Sequence, residues 1–437
     1  MFRVFICVAV FSVVHVNCAL NDTKAELNAQ VAYLSQICPS DVSQMELHTL
    51  ADKNATCNDG TTAGYYLRKA NGSKRWIVYL EGGWFCYSPA SCRKRNRTMR
   101  ELMTSNGWKT TKRGMGILSP NPRENPSWWN ANHVYIPYCS SDVWSGNASK
   151  RETGGQFSFL GTRILARVIE ELLPEGLYHA KHLLLAGSSA GGVGVILNLD
   201  RLALRLKMAG SKVKVRGLAD SGWFLAGAEL PMTSTAIRNG MNYWRGIVPT
   251  DCARRNPLKK WKCYFGEHVY KTDSASPKHA PLFVFQWLYD EEQLGWVLQG
   301  IFNITREKDK VKIAIKLGKK MNESLSNTDG LACAVFAPSC VSHTILTRND
   351  WLKVRVSGRN LDDALNAWYR HRSSDPNTDS CKTLIENNCY YPQCDKTCPK
   401  SRFERSKKST INSPGMPVKP DSRNKPHNPL RRRKSRS

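Results

Sequence analysis

A pentapeptide at residues 187–191, Gly-Ser-Ser-Ala-Gly, has the G-x-S-x-G spacing of a reactive serine, here Ser189. It follows an apolar run at residues 182–186 and precedes a long helical pattern, the setting of a nucleophile elbow. Such a turn has no room for side chains two positions either side of the serine, and Gly187 and Gly191 meet that requirement. A plain glycine-rich connection is the alternative. In this setting the pattern favours Ser189 as the nucleophile of a serine hydrolase.

A second glycine pair would supply backbone N–H groups for an oxyanion. The β-rich run at residues 76–80 opens into Glu81-Gly82-Gly83-Trp84, where an α/β hydrolase carries such a loop. We expect the N–H groups of Gly83, Trp84 and Ala190 to form the oxyanion hole. An ordinary Gly-Gly turn is the alternative, but this pair precedes the elbow in the order that the fold requires.

Chain order in this fold is serine, then acid, then histidine. A buried strand predicted at residues 281–287 is followed by Asp290, which is the preferred acid. Asp290 also resembles a helix N-cap, because Gln293 stands three residues later. The rival acid is Asp220, at the end of a strand predicted from Val213. The residues alone leave both alternatives open.

The candidate bases after Asp290 are His343, His371 and His427. A base must lie on an ordered loop near the carboxyl edge of the sheet. His427 falls in a basic tail, and His371 ends an amphipathic stretch where a charged helix terminus is expected. Elimination leaves His343, in a short loop between Cys340 and an apolar pair.

Eight stretches between Cys38 and Cys398 resemble one family, the Notum carboxylesterases, which are related to plant pectin acetylesterases. They are residues 57–60, 80–84, 128–132, 137–146, 185–192, 220–224, 286–293 and 340–343. The resemblance places the triad on Ser189, Asp290 and His343, and so prefers Asp290 to Asp220. It implies an α/β-hydrolase fold, with a central, mostly parallel sheet flanked by helices, a lid-like insertion and disulfides. The implied activity is hydrolysis of the palmitoleoyl ester on a serine of Wnt proteins, which silences Wnt signalling, with no cofactor and no metal.

Aromatic side chains are expected to line an acyl pocket, as a lipid substrate requires. The expected lining is Trp84, Phe85, Phe224, Tyr264 and Phe265. The chain departs from the family at Tyr264, where a phenylalanine is expected and a hydroxyl would intrude on the wall. It also lacks a cysteine in residues 225–235 and has Ala367 in place of another. These changes are expected to affect selectivity rather than catalysis.

The first 19 residues have the pattern of a secretory signal peptide, with Arg3, an apolar stretch at residues 4–16 and small residues near Cys18-Ala19. We therefore expect a secreted, extracellular protein, and no other apolar run is long enough to predict a transmembrane anchor. Seven N-x-S/T acceptors fit this route. They are Asn21, Asn54, Asn71, Asn96, Asn147, Asn303 and Asn322.

Cysteine usage predicts disulfides. Of 15 cysteines, Cys7 and Cys18 fall in the signal, and the 13 that remain imply one unpaired thiol, for which Cys333 is the candidate. Close spacing predicts the pairs Cys86–Cys92 and Cys252–Cys263. A second cluster, expected to form a knotted subregion, comprises Cys381, Cys389, Cys394 and Cys398. A zinc site is the competing interpretation, which oxidising export disfavours.

Residues 20–400 are expected to form one α/β-hydrolase domain. Helical periodicity at residues 164–173 and 195–206 alternates with strands predicted around Val134, Leu183, Val213 and Phe283. Residues 401–437 carry 12 Lys or Arg against two acids and no apolar period, which predicts a disordered basic tail. With a formal net charge of +28, a secreted chain is expected to bind heparan sulfate or a similar glycosaminoglycan rather than nucleic acid. The binding residues expected in the tail are Arg431, Arg432, Arg433 and Lys434, and residues 93–95 and 259–260 add to the charge.

Two other functions remain open on the sequence. One is a polysaccharide deacetylase of the pectin type, which would use the same triad in a shallow polar cleft. The other is a catalytically silent glycosaminoglycan-binding decoy. A solvated face with a solubilising tail is the alternative for the basic residues.

Overall fold

A computed structural model describes residues 44–226, 231–270, 279–300, 307–327, 333–370, 383–387, 389 and 391–400. The predicted signal peptide, His371, Cys381 and the predicted tail with Arg431, Arg432, Arg433 and Lys434 lie outside these residues. The chain divides into two compact units, Met1–Pro399 and Lys400–Ser437. Of the second unit only Lys400 is described.

A ten-stranded sheet organises the first unit, in the order β14-β10-β8-β7-β6-β3-β5-β2-β1-β4. Strands β14 to β5 in this order run parallel, and β2, β1 and β4 add an antiparallel edge. Two small sheets pair β9 with β11 and β12 with β13. The strands are β1 Gln44–Thr49, β2 Gly64–Arg68, β3 Arg75–Leu80, β4 Thr111–Arg113, β5 Asn132–Ile136, β6 His182–Ser188, β7 Lys214–Asp220, β8 Leu282–Phe285, β9 Tyr289–Asp290, β10 Cys333–Ala337, β11 Val341–Ser342, β12 Arg355–Val356, β13 Arg359–Asn360 and β14 Leu384–Ile385.

The helices are α1 Pro89–Thr98, α2 Gly161–Leu172, α3 Ala190–Met208, α4 Pro231–Trp244, α5 Thr250–Arg255, α6 Gly266–Val269, α7 Glu291–Gly300, α8 Glu307–Ser326 and α9 Leu361–Arg370. Short 3₁₀ turns lie at Arg100–Leu102, Gly116–Leu118, Lys150–Thr153, Leu177–His179 and Lys260–Tyr264. The two helices and the strands predicted from periodicity are present, with bounds shifted by a few residues. The α/β-hydrolase fold is confirmed.

Two separate apolar cores cover the two faces of the sheet. Successive residues of β6 point to opposite faces, so Leu183 and Leu185 enter one core while Leu184 and Ala186 enter the other. A strand buried on both faces therefore reads as a continuous apolar run. This burial fixes the carboxyl end of β6, where the G-x-S-x-G segment begins.

Five disulfides join described cysteines. The local pairs Cys86–Cys92 and Cys252–Cys263 are confirmed. The remaining bonds are Cys57–Cys139, Cys389–Cys394 and Cys340–Cys398. The predicted C-terminal knot is therefore wrong in one respect, because Cys398 pairs with Cys340 beside the expected base.

Three further expectations concern sites or segments that the structure describes in part. No group of His, Cys, Asp or Glu in the described residues could hold a metal ion. No helix among them is long and apolar enough to cross a membrane. The side chain of Cys333 lies outside the described part, so its unpaired state stays a prediction.

Candidate active site

A sharp turn carries Ser189 between β6 and α3. Ser189 has φ 58° and ψ −122°, a left-handed backbone that costs energy in a residue with a side chain. A Cβ added to Gly187 would lie 2.4 Å from the Gly191 carbonyl oxygen, and one added to Gly191 would lie 2.0 Å from the Leu80 oxygen. Both glycines are thus required by close backbone packing, as the spacing predicts.

Ser189, His343 and Asp290 form a continuous hydrogen-bonded chain. His343 Nε2 lies 2.8 Å from Ser189 Oγ, and its Nδ1 lies 2.8 Å from Asp290 Oδ2. The pairing of β9 with β11 places Ser342 opposite Asp290, which brings the acid beside the base. The Asp290 side chain is fully buried and that of His343 is 8% exposed.

Asp290 is also a helix cap. Its Oδ1 accepts the backbone N–H groups of Glu292 and Gln293 at 3.2 Å and 3.1 Å. The two interpretations of Asp290 are therefore compatible, because one oxygen serves the helix and the other faces His343.

The rival acid, Asp220, instead anchors the loop that follows His343. Its buried Oδ2 accepts the N–H groups of Ile345 and Leu346 at 2.9 Å and 3.1 Å, and the Ser188 hydroxyl at 2.5 Å. Asp220 thereby ties the histidine loop to the end of β6.

The charge of Asp290 governs the titration of His343. Burial alone would lower the pKa of His343, but the charge and hydrogen bond of Asp290 outweigh burial and raise it, with smaller contributions from Glu292 and Asp220. The same pairing stabilises the imidazolium that forms when Nε2 takes the proton of the serine. The arrangement can perform general base catalysis on a serine hydroxyl.

The expected oxyanion loop packs against this turn. A Cβ on Gly82 would lie 2.4 Å from the Ser188 oxygen. Gly83 and Trp84 follow with φ 146° and 60°. The Trp144 indole donates to the Glu81 oxygen at 3.0 Å and fixes the start of the loop. Glycine alone allows the backbone to approach the serine this closely.

An apolar cavity opens on Ser189. All five aromatic residues expected in the acyl pocket line it: Trp84, Phe85, Phe224, Tyr264 and Phe265. Trp223, which precedes Phe224, is not among the lining residues; it is fully buried in the core and donates its indole N–H to Ser324.

Sequence reasoning missed three aliphatic residues of the lining, Val143, Val193 and Ile237. Val193 stands four residues after Ser189 on α3, so the helical period could have found it. Val143 reaches the wall because its φ is 55°, which an apolar β-branched residue rarely adopts and no local pattern signals.

The expectation that the Tyr264 hydroxyl intrudes on the pocket wall is wrong. This hydroxyl is hydrogen-bonded to Ser145 Oγ at 2.6 Å, and Ser145 donates to the Asp142 carbonyl at 2.6 Å. The hydroxyl therefore has a partner, and an acyl chain would not have to leave a polar group unsatisfied.

The buried carboxylate of Asp142 organises the segment that brings Val143 to the cavity. It accepts the backbone N–H groups of Trp144, Gly146 and Gly161 at 3.0 Å, 3.1 Å and 2.7 Å. Burial raises the pKa of Asp142 to about 6, and these hydrogen bonds oppose the rise. The network holds the left-handed residues Val143 and Trp144 in place.

Arg95 is not part of a basic surface, contrary to expectation. It is 5% exposed, and its guanidinium donates to Gly83 and Ser141. Its neighbours Arg93 and Lys94 are exposed, as are Lys259 and Lys260. The run of three basic residues does not show which of them is buried, because neighbouring residues of a helix point to different faces.

A mostly parallel α/β sheet with a serine, a histidine and an acid beyond its carboxyl edge defines a serine hydrolase of the α/β-hydrolase fold. The pectinacetylesterase family profile matches residues 37–399. Human palmitoleoyl-protein carboxylesterase Notum is 43% identical over 401 residues, which are 86% of this chain and 78% of the relative. Drosophila melanogaster Notum is 42% identical over 351 residues, 75% of this chain and 50% of the relative.

A solved structure gives the same result. The crystal structure described as the Wnt deacylase Notum from Drosophila has a TM-score of 0.72 and 41% identity, covering 82% of this chain and 100% of that one. The chain belongs to the pectinacetylesterase family, within its Notum carboxylesterase branch. It is a carboxylic ester hydrolase.

Proposed function

We propose that this protein is a secreted serine carboxylesterase that removes the O-linked palmitoleoyl group from a serine of Wnt proteins, and so lowers Wnt signalling. Two relatives that share most of its length are named palmitoleoyl-protein carboxylesterases, and the similar solved structure is described as a Wnt deacylase. The cavity at Ser189 carries the proposal, because its walls are apolar and aromatic. A fatty acyl chain gains free energy on entering such a cavity, whereas a sugar does not.

In this mechanism Ser189 is the nucleophile, His343 the general base and acid, and Asp290 the residue that orients and stabilises the imidazolium. The Ser189 oxygen attacks the ester carbonyl while His343 takes its proton. The N–H groups of Gly83, Trp84 and Ala190 stabilise the oxyanion. His343 then protonates the departing serine oxygen of the substrate, and the acyl group stays on Ser189. Water, deprotonated by the same imidazole, attacks this acyl-enzyme; the fatty acid leaves and the proton returns to the Ser189 oxygen.

The test is the dependence of kcat/KM on acyl length, measured with p-nitrophenyl esters from acetate upward. Each methylene buried in the cavity should contribute about 0.8 kcal/mol, or roughly fourfold in kcat/KM, until the cavity ends. The profile should rise and then break.

Ser189→Ala should abolish turnover while the protein keeps its melting temperature, because only the attacking oxygen is lost.

A profile that falls steadily from acetate would reject the lipid esterase and support a polysaccharide deacetylase, which the family description keeps as the second candidate. Absence of turnover on every ester would support a non-catalytic decoy. Release of palmitoleate from a lipidated Wnt peptide is the final requirement of the main proposal.

Secretion, glycosylation and glycosaminoglycan binding belong to the same proposal. Five disulfides among the described cysteines suit an oxidising compartment. Of the glycan acceptors, Asn54, Asn71 and Asn147 are exposed. Residues 401–437 add ten positive charges net. They should retain the protein on sulfated polysaccharide in a salt-dependent way.

A further inference from the structure

Arg95 is a buried cation directly behind the expected oxyanion loop. Its Nη2 donates to the Gly83 oxygen at 2.5 Å, its Nε to Ser141 Oγ at 2.8 Å, and its Nη1 contacts Met99 Sδ at 3.7 Å. In the part of the chain that the structure describes, Arg95 forms no ion pair with a carboxylate. Burial lowers the pKa of Arg95, although nearby Tyr138 and Glu101 oppose this.

Burying a guanidinium without a carboxylate partner costs free energy of folding. The two hydrogen bonds that Arg95 donates to oxygen go to the backbone of Gly83 and the side chain of Ser141. The disulfide Cys86–Cys92 fastens α1 to the end of the same loop, which sets Arg95 beneath it. Ser141 is itself left-handed, with φ 52°, and its oxygen accepts the Cys86 N–H at 3.2 Å. Arg95 therefore connects two strained segments at the site.

The contact with Gly83 determines where the Trp84 N–H points. The Gly83 C=O and the Trp84 N–H belong to one planar trans peptide, so fixing the oxygen fixes the N–H in the opposite direction. Both residues have positive φ, and Trp84 at 60° needs support to hold that conformation. Leu102 adds packing, since a Cβ on Gly83 would lie 2.8 Å from its Cδ1.

We propose that Arg95 is a positioning residue that orients and polarises the Gly83–Trp84 peptide as an oxyanion donor. The inference rests on the ester hydrolysis proposed above. A charge-assisted hydrogen bond to the carbonyl is stronger than a neutral one, and it makes the N–H of the same peptide a better donor. The effect is realised when the oxyanion forms, so it belongs to kcat rather than to KM.

The test compares Arg95→Met and Arg95→Lys with Arg97→Met, which removes an exposed cation from the same helix. Five quantities are measured: kcat and KM on p-nitrophenyl octanoate, the affinity for octyl trifluoromethyl ketone, the affinity for octanoate, and the melting temperature. The ketone reports on the oxyanion hole, because attack of the Ser189 oxygen on its carbonyl carbon forms a tetrahedral oxyanion. Losing a direct oxyanion donor costs 10²–10³-fold, so we expect kcat of Arg95→Met to fall about 10- to 100-fold. KM and octanoate affinity should stay within about threefold.

The ketone affinity of Arg95→Met should fall with kcat, Arg95→Lys should recover part of both, and Arg97→Met should resemble the wild type. A lower melting temperature with unchanged kcat and ketone affinity would make Arg95 a packing residue only and overturn the proposal. Should Arg95→Met not fold, Arg95→Lys and Ser141→Ala, which removes the Nε partner, give the same comparison. If the wild-type protein hydrolysed no ester, the proposed function would be contradicted instead. The ketone affinities of the wild type and Arg95→Met would then still test the role of Arg95.

Discussion

Asp290 combines two roles that look exclusive in the sequence. One carboxylate oxygen caps α7 and the other faces His343. Asparagine caps helices about as well as aspartate does, because its side-chain oxygen accepts the same N–H groups. Substitution by asparagine therefore removes the charge of Asp290 while keeping its hydrogen bonds to the first turn of α7.

Asp290→Asn should reduce kcat by about 10⁴-fold with a nearly unchanged melting temperature, since the amide stabilises the wrong tautomer of His343. Asp220→Asn should do the reverse, because it weakens hydrogen bonds to Ile345 and Leu346 within the core. Its free energy of unfolding should fall by about 1–3 kcal/mol, with kcat reduced by less than about 100-fold. The two variants are compared by their kcat on p-nitrophenyl octanoate and by thermal melts. A larger kcat loss in Asp220→Asn would exchange the roles of the two acids.

The pH profile reports the same charge. The pKa of His343 is raised above its ordinary value of 6.5, so kcat/KM should decline as the pH falls through a midpoint above 6.5. In Asp290→Asn the largest opposing charge is gone and only the smaller contributions of Glu292 and Asp220 oppose burial, so the residual activity should have its acid limb at lower pH. Asp363→Asn, at an exposed position of α9, is the control. An acid limb that stays in place or moves upward would contradict this electrostatic account.

At the scale of elements, the sequence predicts two kinds of feature. These are turns whose backbone geometry requires particular residues, and residues whose order along the chain is set by the fold. The elbow at residues 187–191 is readable because steric exclusion requires both glycines, and His343 because few histidines follow the acid. The β9–β11 pairing is not readable, since two-residue strands carry no period. The burial of Arg95 is equally hidden, because composition gives its charge but not the backbone oxygens that hold it.

The contact between the 3₁₀ turn Lys260–Tyr264 and the Asp142 segment offers a test at this scale. Tyr264→Phe removes one buried hydrogen bond to Ser145 and leaves the ring in the cavity wall. The free energy of unfolding should fall by about 1 kcal/mol, with an unchanged acyl-length profile. Phe265→Leu, which shortens the adjacent wall residue, should instead shift the break in that profile. Selective improvement of long esters by Tyr264→Phe would mean that the hydroxyl does face the substrate.

At the scale of the whole molecule, the parallel sheet gathers residues that are far apart in sequence at one carboxyl edge. Ser189 and His343 are separated by 154 positions, yet Ser189 directly follows β6 of this sheet and His343 follows β10 and the short β11, which pairs with β9 in a separate small sheet. The bond Cys340–Cys398 then joins the histidine loop to the last described segment. Gln393 reinforces this join, because its Oε1 accepts the Val341 N–H at 2.8 Å. The C-terminal segment before residue 400 therefore supports the site, whereas residues 401–437 are predicted to serve binding.

Two shortened chains should separate these contributions. A chain ending at residue 400 retains the disulfide, so it should keep its melting temperature and kcat while eluting from heparin at lower salt. The same chain with Cys340→Ser and Cys398→Ser loses a link across 58 positions, which should lower the free energy of unfolding by about 4 kcal/mol. Its kcat should also fall, because His343 stands three residues after Cys340. Unchanged heparin elution on shortening would assign the binding to the folded domain, and an unchanged melting temperature in the double variant would show that hydrogen bonds alone hold the histidine loop.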